Sequence, residues 1–225
     1  MPWPSRLKTI TPRKRARLLA GAGASPFSNP RVQYPEWYIQ RWHFIPDGYF
    51  SPRAIGLYDR WVRRLYHGLD ESRIYSRIVT LLESLDPQLI AEFGCGPGHA
   101  LAVLARSFPS ARLTGTDLSP FMLEAASRRL PSGVTLVHAD ACRPVLAAEE
   151  ADAILAVHVL GHIPRSLAGR MAGQARRALR PGGLLLTVDH RWHPEVAQDH
   201  FRLTHSELVS RRTARLALWR KHDRT

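Results

Sequence analysis

The sequence predicts a doubly wound α/β fold with a mostly parallel sheet, and two observations carry that expectation. From residue 89 onward, short apolar runs of strand length alternate with segments of helical rhythm, and strands separated by helices pair in parallel through right-handed crossovers. A glycine-rich turn, AEFGCGPGH over residues 91–99, joins the first of these strands to its helix. In open α/β sheets the ligand crevice lies there, at the carboxyl ends of the strands. The length of 225 residues, 44% of them hydrophobic and 23% charged, suits one substantial core and excludes a fibrous or low-complexity chain.

The first 31 residues carry seven Lys/Arg and no acid among Pro, Gly, Ala and Ser, and read as a flexible basic arm. Residues 32–86 read as a helical and aromatic lid. Its stretch YPEWYIQRWHFIPDGYF, 34–50, holds seven aromatic residues in seventeen positions, a density that wants burial or a ligand. A helix is expected over Pro52–Tyr66, where Ile55, Tyr58, Val62, Leu65 and Tyr66 recur at helical spacing, and another over Ser72–Leu85, stopped by Pro87.

The sheet domain is expected over 87–225. Its strands are LIAEF (89–93), RLTGT (112–116), VTLVHA (134–139), ADAILAVHV (151–159) and LLLTVD (184–189), with a helix over Ser166–Leu179 before the last. The tail offers FRLTHSELV and TARLALW around Ser210, Arg211 and Arg212. It fits a β-hairpin on the sheet edge or a helix followed by one strand, and the hairpin is favoured.

Charge is unevenly spread. The formal charge is +13, but residues 1–31 contribute +7 and residues 202–225 contribute +5, leaving +1 for 32–201. Basic ends suit nucleic acid or an anionic membrane surface, and they also serve as solvated tails. The longest stretches without a charged side chain, 18–30 and 93–105, are 13 residues long, short of the ~20 that span a bilayer. The only apolar run near the amino terminus, Leu18–Ala24, is too short and glycine-broken for a secretory signal, although an Arg-rich, acid-free start also resembles a mitochondrial transit peptide. Two cysteines, Cys95 and Cys142, form neither a disulfide framework nor a zinc spacing. A cytoplasmic location is expected.

The sharpest local signal is the glycine turn together with the acids that end successive strands: Glu92, Asp117 and Asp140. Glycines permit positive φ and close backbone approach, and the exposed amides of a helix start attract negative groups. Asp117 lies 19 residues beyond Gly98, where a carboxylate can accept hydrogen bonds from ribose hydroxyls. Each residue also has a purely structural reading, Glu92 as a helix-start charge and Asp117 as part of a DLSP helix cap. A dinucleotide oxidoreductase is disfavoured, because the pattern is GxGxG and an acid stands two residues before the first glycine.

These residues resemble the class I S-adenosylmethionine-dependent methyltransferases, whose first motif is an acid followed by GxGxG. The likeness continues through TGTDLSPFMLEAASRR, HADA, ADAILAVHVLGHI and RALRPGGLLLTV, covering residues 89–189. It implies a Rossmann-like fold, the cofactor S-adenosyl-L-methionine, and no metal. By similarity Gly94, Gly96 and Gly98 would line the methionine part, Glu92 its ammonium end and Asp117 the ribose. Leu118 would pack on the adenine, whose amino edge Asp140 and the backbone of Ala141 would read. His158 would sit near the methyl group as the candidate general base. Its other reading is a histidine of the cofactor shell. His162 would orient its turn, and His190 and His193 stand near the crevice mouth, where DHRWH offers no convincing metal set.

The expected function is methyl transfer to an O-, N- or C-nucleophile of a small molecule, with acceptor choice residing in the aromatic segment and in the helix carrying Tyr58, Asp59, Trp61 and Tyr66. Aromatic rings suit flat, apolar or cationic acceptors. A lipid acceptor, approached with the basic arm resting on a membrane, is the first alternative. RNA or protein methylation is the second, disfavoured because the fourth segment, AVHVLG, lacks the polar-Pro-Pro-aromatic signature that the resemblance would require for nucleic-acid amino groups. A cofactor fold serving only as a binding module is the third. The sequence leaves oligomeric state open.

Overall fold

The computed structural model describes residues 10–40, 45–62, 70–190, 195–209 and 214–221. A seven-stranded sheet in the order β3-β2-β1-β4-β5-β7-β6 organises the chain. Five strands are parallel: β1 (Leu89–Phe93), β2 (Arg112–Asp117), β3 (Thr135–His138), β4 (Ala151–Val157) and β5 (Leu179–Asp189). Strand β5 is longer than the sequence suggested, because RPGG continues the extended chain into LLLTVD. The favoured hairpin forms from β6 (Phe201–Leu208) and β7 (Arg215–Lys221). It is β7 that pairs antiparallel with β5, leaving β6 outermost.

Alternation along the strands builds two cores. Ile90, Leu155, Leu186 and Leu218 point to one face, where they meet Ile74, Ile78 and Leu82 of helix α3 (Asp70–Glu83) and Leu101 and Leu104 of α4 (His99–Ser107). Ala91, Ile154, Leu185 and Trp219 point to the other, against Met171, Ala172 and Ala175 of α6 (Arg165–Ala178). Burial on both faces explains why the parallel strands read as nearly continuous apolar runs. Helix α3 belongs to the same core as β1, so the expected division at residue 86/87 runs through a single hydrophobic unit.

The amino-terminal arm is partly corrected. Residues 1–9 lie outside the described residues, but Pro12–Gly23 form helix α1, capped by Thr11 with Pro at its start. Leu18 and Ala22 are buried with Tyr38, Phe50, Ile55 and Phe121, which ties α1 and the aromatic segment to α5 (Pro120–Ser127). Burial of that apolar face outweighs the basic composition, which stays on the solvent side. The expected helix from Pro52 is helical throughout its described part: α2 covers Pro52–Leu57 and widens into a π-helical turn over Tyr58–Val62, and the remainder of the expected span, with Leu65 and Tyr66, lies outside the described residues. Such turns recur at functional sites. A four-residue helix α7 (Glu195–Gln198) leads into the hairpin.

Candidate active site

A cavity of about 1090 Å³, counting its open mouth, lies over the carboxyl ends of the parallel strands. Every residue that the sequence singled out for cofactor or catalysis, save Gly98, lines it: Glu92, Gly94, Gly96, Asp117, Leu118, Asp140, Ala141 and His158. Gly98 sits one residue further on as the left-handed cap of α4.

The glycine turn explains itself locally. Gly94, Gly96 and Gly98 have φ of 70, 52 and 79°, a region that side-chain-bearing residues rarely enter. A Cβ on Gly94 would come within 2.6 Å of Val159 Cγ2, whereas one on Gly96 would meet nothing within 4 Å. The open space beside Gly96 is where a ligand can reach the backbone. The turn is held down by Cys95 N–H, which donates to the Thr116 carbonyl at 2.8 Å, and by Gly96 N–H, which donates to Asp117 Oδ2 at 2.9 Å.

Asp117 also accepts from Ser119 N–H at 2.8 Å, while Ser119 Oγ caps α5 by accepting from Met122 N–H. Its structural and ligand-facing readings therefore coexist. Burial pushes its pKa from 3.8 up to about 6, against the backbone N–H groups that favour the anion. Glu92 is 3% exposed and its Oε2 has no hydrogen-bond partner. Burial, and then the Asp117 charge, push its pKa well up. Such an unpartnered oxygen calls for a cationic or donating ligand. Asp140 Oδ1 accepts from Cys142 N–H at 2.9 Å, shaping the loop after β3.

His158 adopts φ 57°, unusual outside glycine. Its N–H donates to the Val188 carbonyl at 2.7 Å, and its ring stacks on His190 at 4.8 Å and 18°. Two strand ends thus fix the imidazole at the cavity wall. His162 lines the cavity from a 3-10 turn, Leu160–His162, whose Gly161 N–H donates to buried Asp189 at 2.7 Å. His193 lies outside the described residues. Burial pushes the Cys142 thiol up to about 12 and the Cys95 thiol well above its usual value, so neither suits nucleophilic work. Among the described residues no group of three or more His, Cys, Asp or Glu is placed to hold a metal ion.

The aromatic segment covers the cavity, on a side the sequence did not foresee. Tyr38 hydrogen-bonds Ser119, and Ser119 Oγ donates to the Tyr49 carbonyl at 2.5 Å. Tyr34 Oη meets His138 Nε2 at 3.1 Å, and the same nitrogen faces the Leu118 carbonyl at 3.1 Å. These rings stand beside Asp117 and Leu118, with Trp37 and Tyr58 on the same wall. Trp61, expected to help choose the acceptor, is instead 59% exposed. Sequence reasoning missed Glu71 and Tyr75 of α3, both on the cavity wall and joined by a 2.7 Å hydrogen bond, because Glu71 precedes the helix expected over Ser72–Leu85 and Tyr75 falls outside its regular apolar spacing.

Fold and site together define a class that this chain resembles, the class I S-adenosylmethionine-dependent methyltransferases. The sequence profile of a family described as a methyltransferase domain matches residues 90–183. Among curated relatives, a trans-aconitate 2-methyltransferase from Rhodopseudomonas palustris (strain BisB18) is 38% identical over 105 residues, covering 44% of this chain and 38% of the relative. Another from Yersinia pseudotuberculosis serotype O:1b (strain IP 31758) is 50% identical over 54 residues, covering 24% of this chain and 20% of the relative. The chain thus spans less than two fifths of the length of these relatives. Of solved structures, the N-methyltransferase NodS from Bradyrhizobium japonicum WM9 with S-adenosyl-L-homocysteine matches 76% of this chain and 96% of its own, with TM-score 0.65 and 21% identity. Magnesium protoporphyrin IX methyltransferase from Synechocystis PCC 6803 with bound S-adenosylmethionine matches 76% and 98%, with TM-score 0.60 and 17% identity. At these identities the likeness is one of fold.

Proposed function

We propose that this protein binds S-adenosyl-L-methionine and transfers its methyl group to a small-molecule acceptor. The observation that carries the reading is Glu92, a buried carboxylate with one unpartnered oxygen on the wall of a cavity that also contains Gly96 and Asp117. Glu92 would receive the ammonium end of the cofactor and Asp117 the ribose hydroxyls. Leu118 would lie against the adenine, and Asp140 with the Ala141 backbone would face its amino edge.

When bound, the cofactor supplies an electrophilic methyl group on a positively charged sulfur. The residues of this chain then have three tasks: to align the acceptor in line with that bond, to exclude water, and to take a proton where the acceptor must lose one. The aromatic wall supports the second. His158, clamped between the ends of β4 and β5, is the group on which we place the third.

The acceptor is open to a finer reading. The curated relatives are named for trans-aconitate, so that polycarboxylate belongs in any screen. Beyond the residues given to the cofactor, however, the cavity wall carries the acid Glu71 and, among the described residues, no Lys or Arg. That sign of charge, with the rings of Tyr58 and Tyr75, favours a neutral aromatic or an amine over a polyanion. Peripheral contact with an anionic membrane is a further branch of the proposal. It would use Arg13 and Arg17, exposed on α1, and salt-sensitive cosedimentation with vesicles would reveal it.

Calorimetric titration with S-adenosylmethionine and S-adenosylhomocysteine, with NAD as control, tests the cofactor. Saturable binding of the first two alone supports the reading and opens the acceptor screen with labelled methyl donor. Binding of NAD alone, or of none, defeats it.

A further inference from the structure

The amino-terminal cover of the cavity is fastened at three places, and each fastening lands on a residue close in sequence to one assigned above to the cofactor. Asn29 N–H donates to His138 Nδ1 at 2.8 Å, two residues before Asp140. The Tyr49 carbonyl accepts from Ser119 Oγ, one residue after Leu118. Asp59 meets the residue that follows Gly98: its Oδ1 lies 2.5 Å from His99 Nε2.

The third fastening is the most elaborate. Asp59 Oδ2 also pairs with Arg129 Nη2 at 2.8 Å, and Arg129 Nη1 donates to the Pro97 carbonyl within the glycine turn. One carboxylate therefore ties the π-helical turn to both the turn's carbonyl and the first residue of α4. Its side chain is 31% exposed and the His99 side chain 20%, so this is a half-sheltered network rather than a solvated surface pair. Its neighbour Tyr58 lines the cavity and packs edge-on against Tyr49 at 5.8 Å.

We infer that Asp59 is a positioning residue for the cofactor: it latches the π-helical turn, and with it Tyr58, across the glycine loop, so that the cover retains bound cofactor. The inference rests on the function proposed above. It moves the main role of this part of the cover from choosing the acceptor to holding the cofactor. The latch does not touch the reacting atoms. It acts through Tyr58 and through the position of the Pro97 carbonyl.

Rapid-mixing kinetics of S-adenosylhomocysteine binding, read by tryptophan fluorescence from Trp37 on the cavity wall, together with calorimetry, test the latch on the full chain. Asp59→Asn keeps the shape and removes the charge, while Arg129→Gln breaks the network from the other side and serves if the first variant folds poorly. Each is expected to raise Kd about tenfold through faster dissociation, with association not slowed. The double variant should lose no more than the worse single one. Glu124→Gln, which breaks the exposed Arg128 pair on α5, should bind as wild type does. Wild-type Kd in both latch variants, or a loss that appears as slower association, overturns the inference, the latter indicating a distorted glycine loop. A wild-type chain that binds no S-adenosylhomocysteine removes the proposed function itself, which is a separate result.

Discussion

Glu92 and Asp117 are acids buried in the cavity wall, and their protonation follows from that. Asp117 titrates at 3.8 when unfolded and at about 6 when folded. Between those values the folded protein keeps a proton that the unfolded chain has released. The group's contribution to folding is thus full below 3.8 and is lost as pH rises to about 6, a change of roughly 3 kcal/mol. Ribose hydroxyls favour the ionised carboxylate, so S-adenosylhomocysteine affinity is expected to fall as pH drops below about 6. Binding near that pH should release protons, measurable by calorimetry in buffers of different ionisation enthalpy. Glu92→Gln removes a buried acid with one unpartnered oxygen and should raise the melting temperature of the unliganded protein while weakening cofactor binding at least tenfold, the exchange of stability for function expected of a ligand-facing group. At Gly96, φ of 52° and the empty space beside it predict that Gly96→Val both strains the turn and fills the approach, abolishing binding by the same assay.

Among the elements, α1 is the one whose existence composition concealed. Leu18 is 4% exposed against Phe121 and Phe50, so Leu18→Ala should lower stability by about 2 kcal/mol or more, measured by urea unfolding. A free arm would show no change. The parallel strands were legible because burial on both faces leaves an unbroken apolar run, and the glycine turn because three positive-φ positions leave glycine as the residue of choice. The cover was legible only as a concentration of aromatic residues. Its placement depends on Tyr38 and Tyr49 meeting Ser119, and on Asn29 meeting His138 across 109 positions of sequence, and no local pattern encodes pairings so distant. The widening of the helix at Tyr58 was not legible because the apolar spacing of Tyr58 and Val62 suits a wider helical turn as well as a regular one. Burial lowers the His138 pKa below 6.5, consistent with Nδ1 accepting the Asn29 N–H. The stability it gives is present above 6.5 and lost as pH falls through its lowered value, the reverse of the Asp117 window.

At the scale of the whole molecule, the sheet depends on its carboxy-terminal strands. Strand β7 covers one edge of β5 and brings Leu216, Leu218 and Trp219 into the two cores, where Trp219 Nε1 donates to Thr187 Oγ1 at 3.1 Å. A chain stopped after His200 would expose that edge and apolar surface on both faces. It is expected to run as aggregate on size exclusion and to show no saturable S-adenosylhomocysteine binding. The order of pairing carries a last consequence, for synthesis. Strand β6 leaves the ribosome before β7 yet joins the sheet only through it, so the nascent chain holds β6 without a partner and β5 with a bare edge until β7 emerges. That bare edge is open to capture by a strand of another chain, so soluble yield is expected to fall as expression is driven faster, without altering a single amino acid.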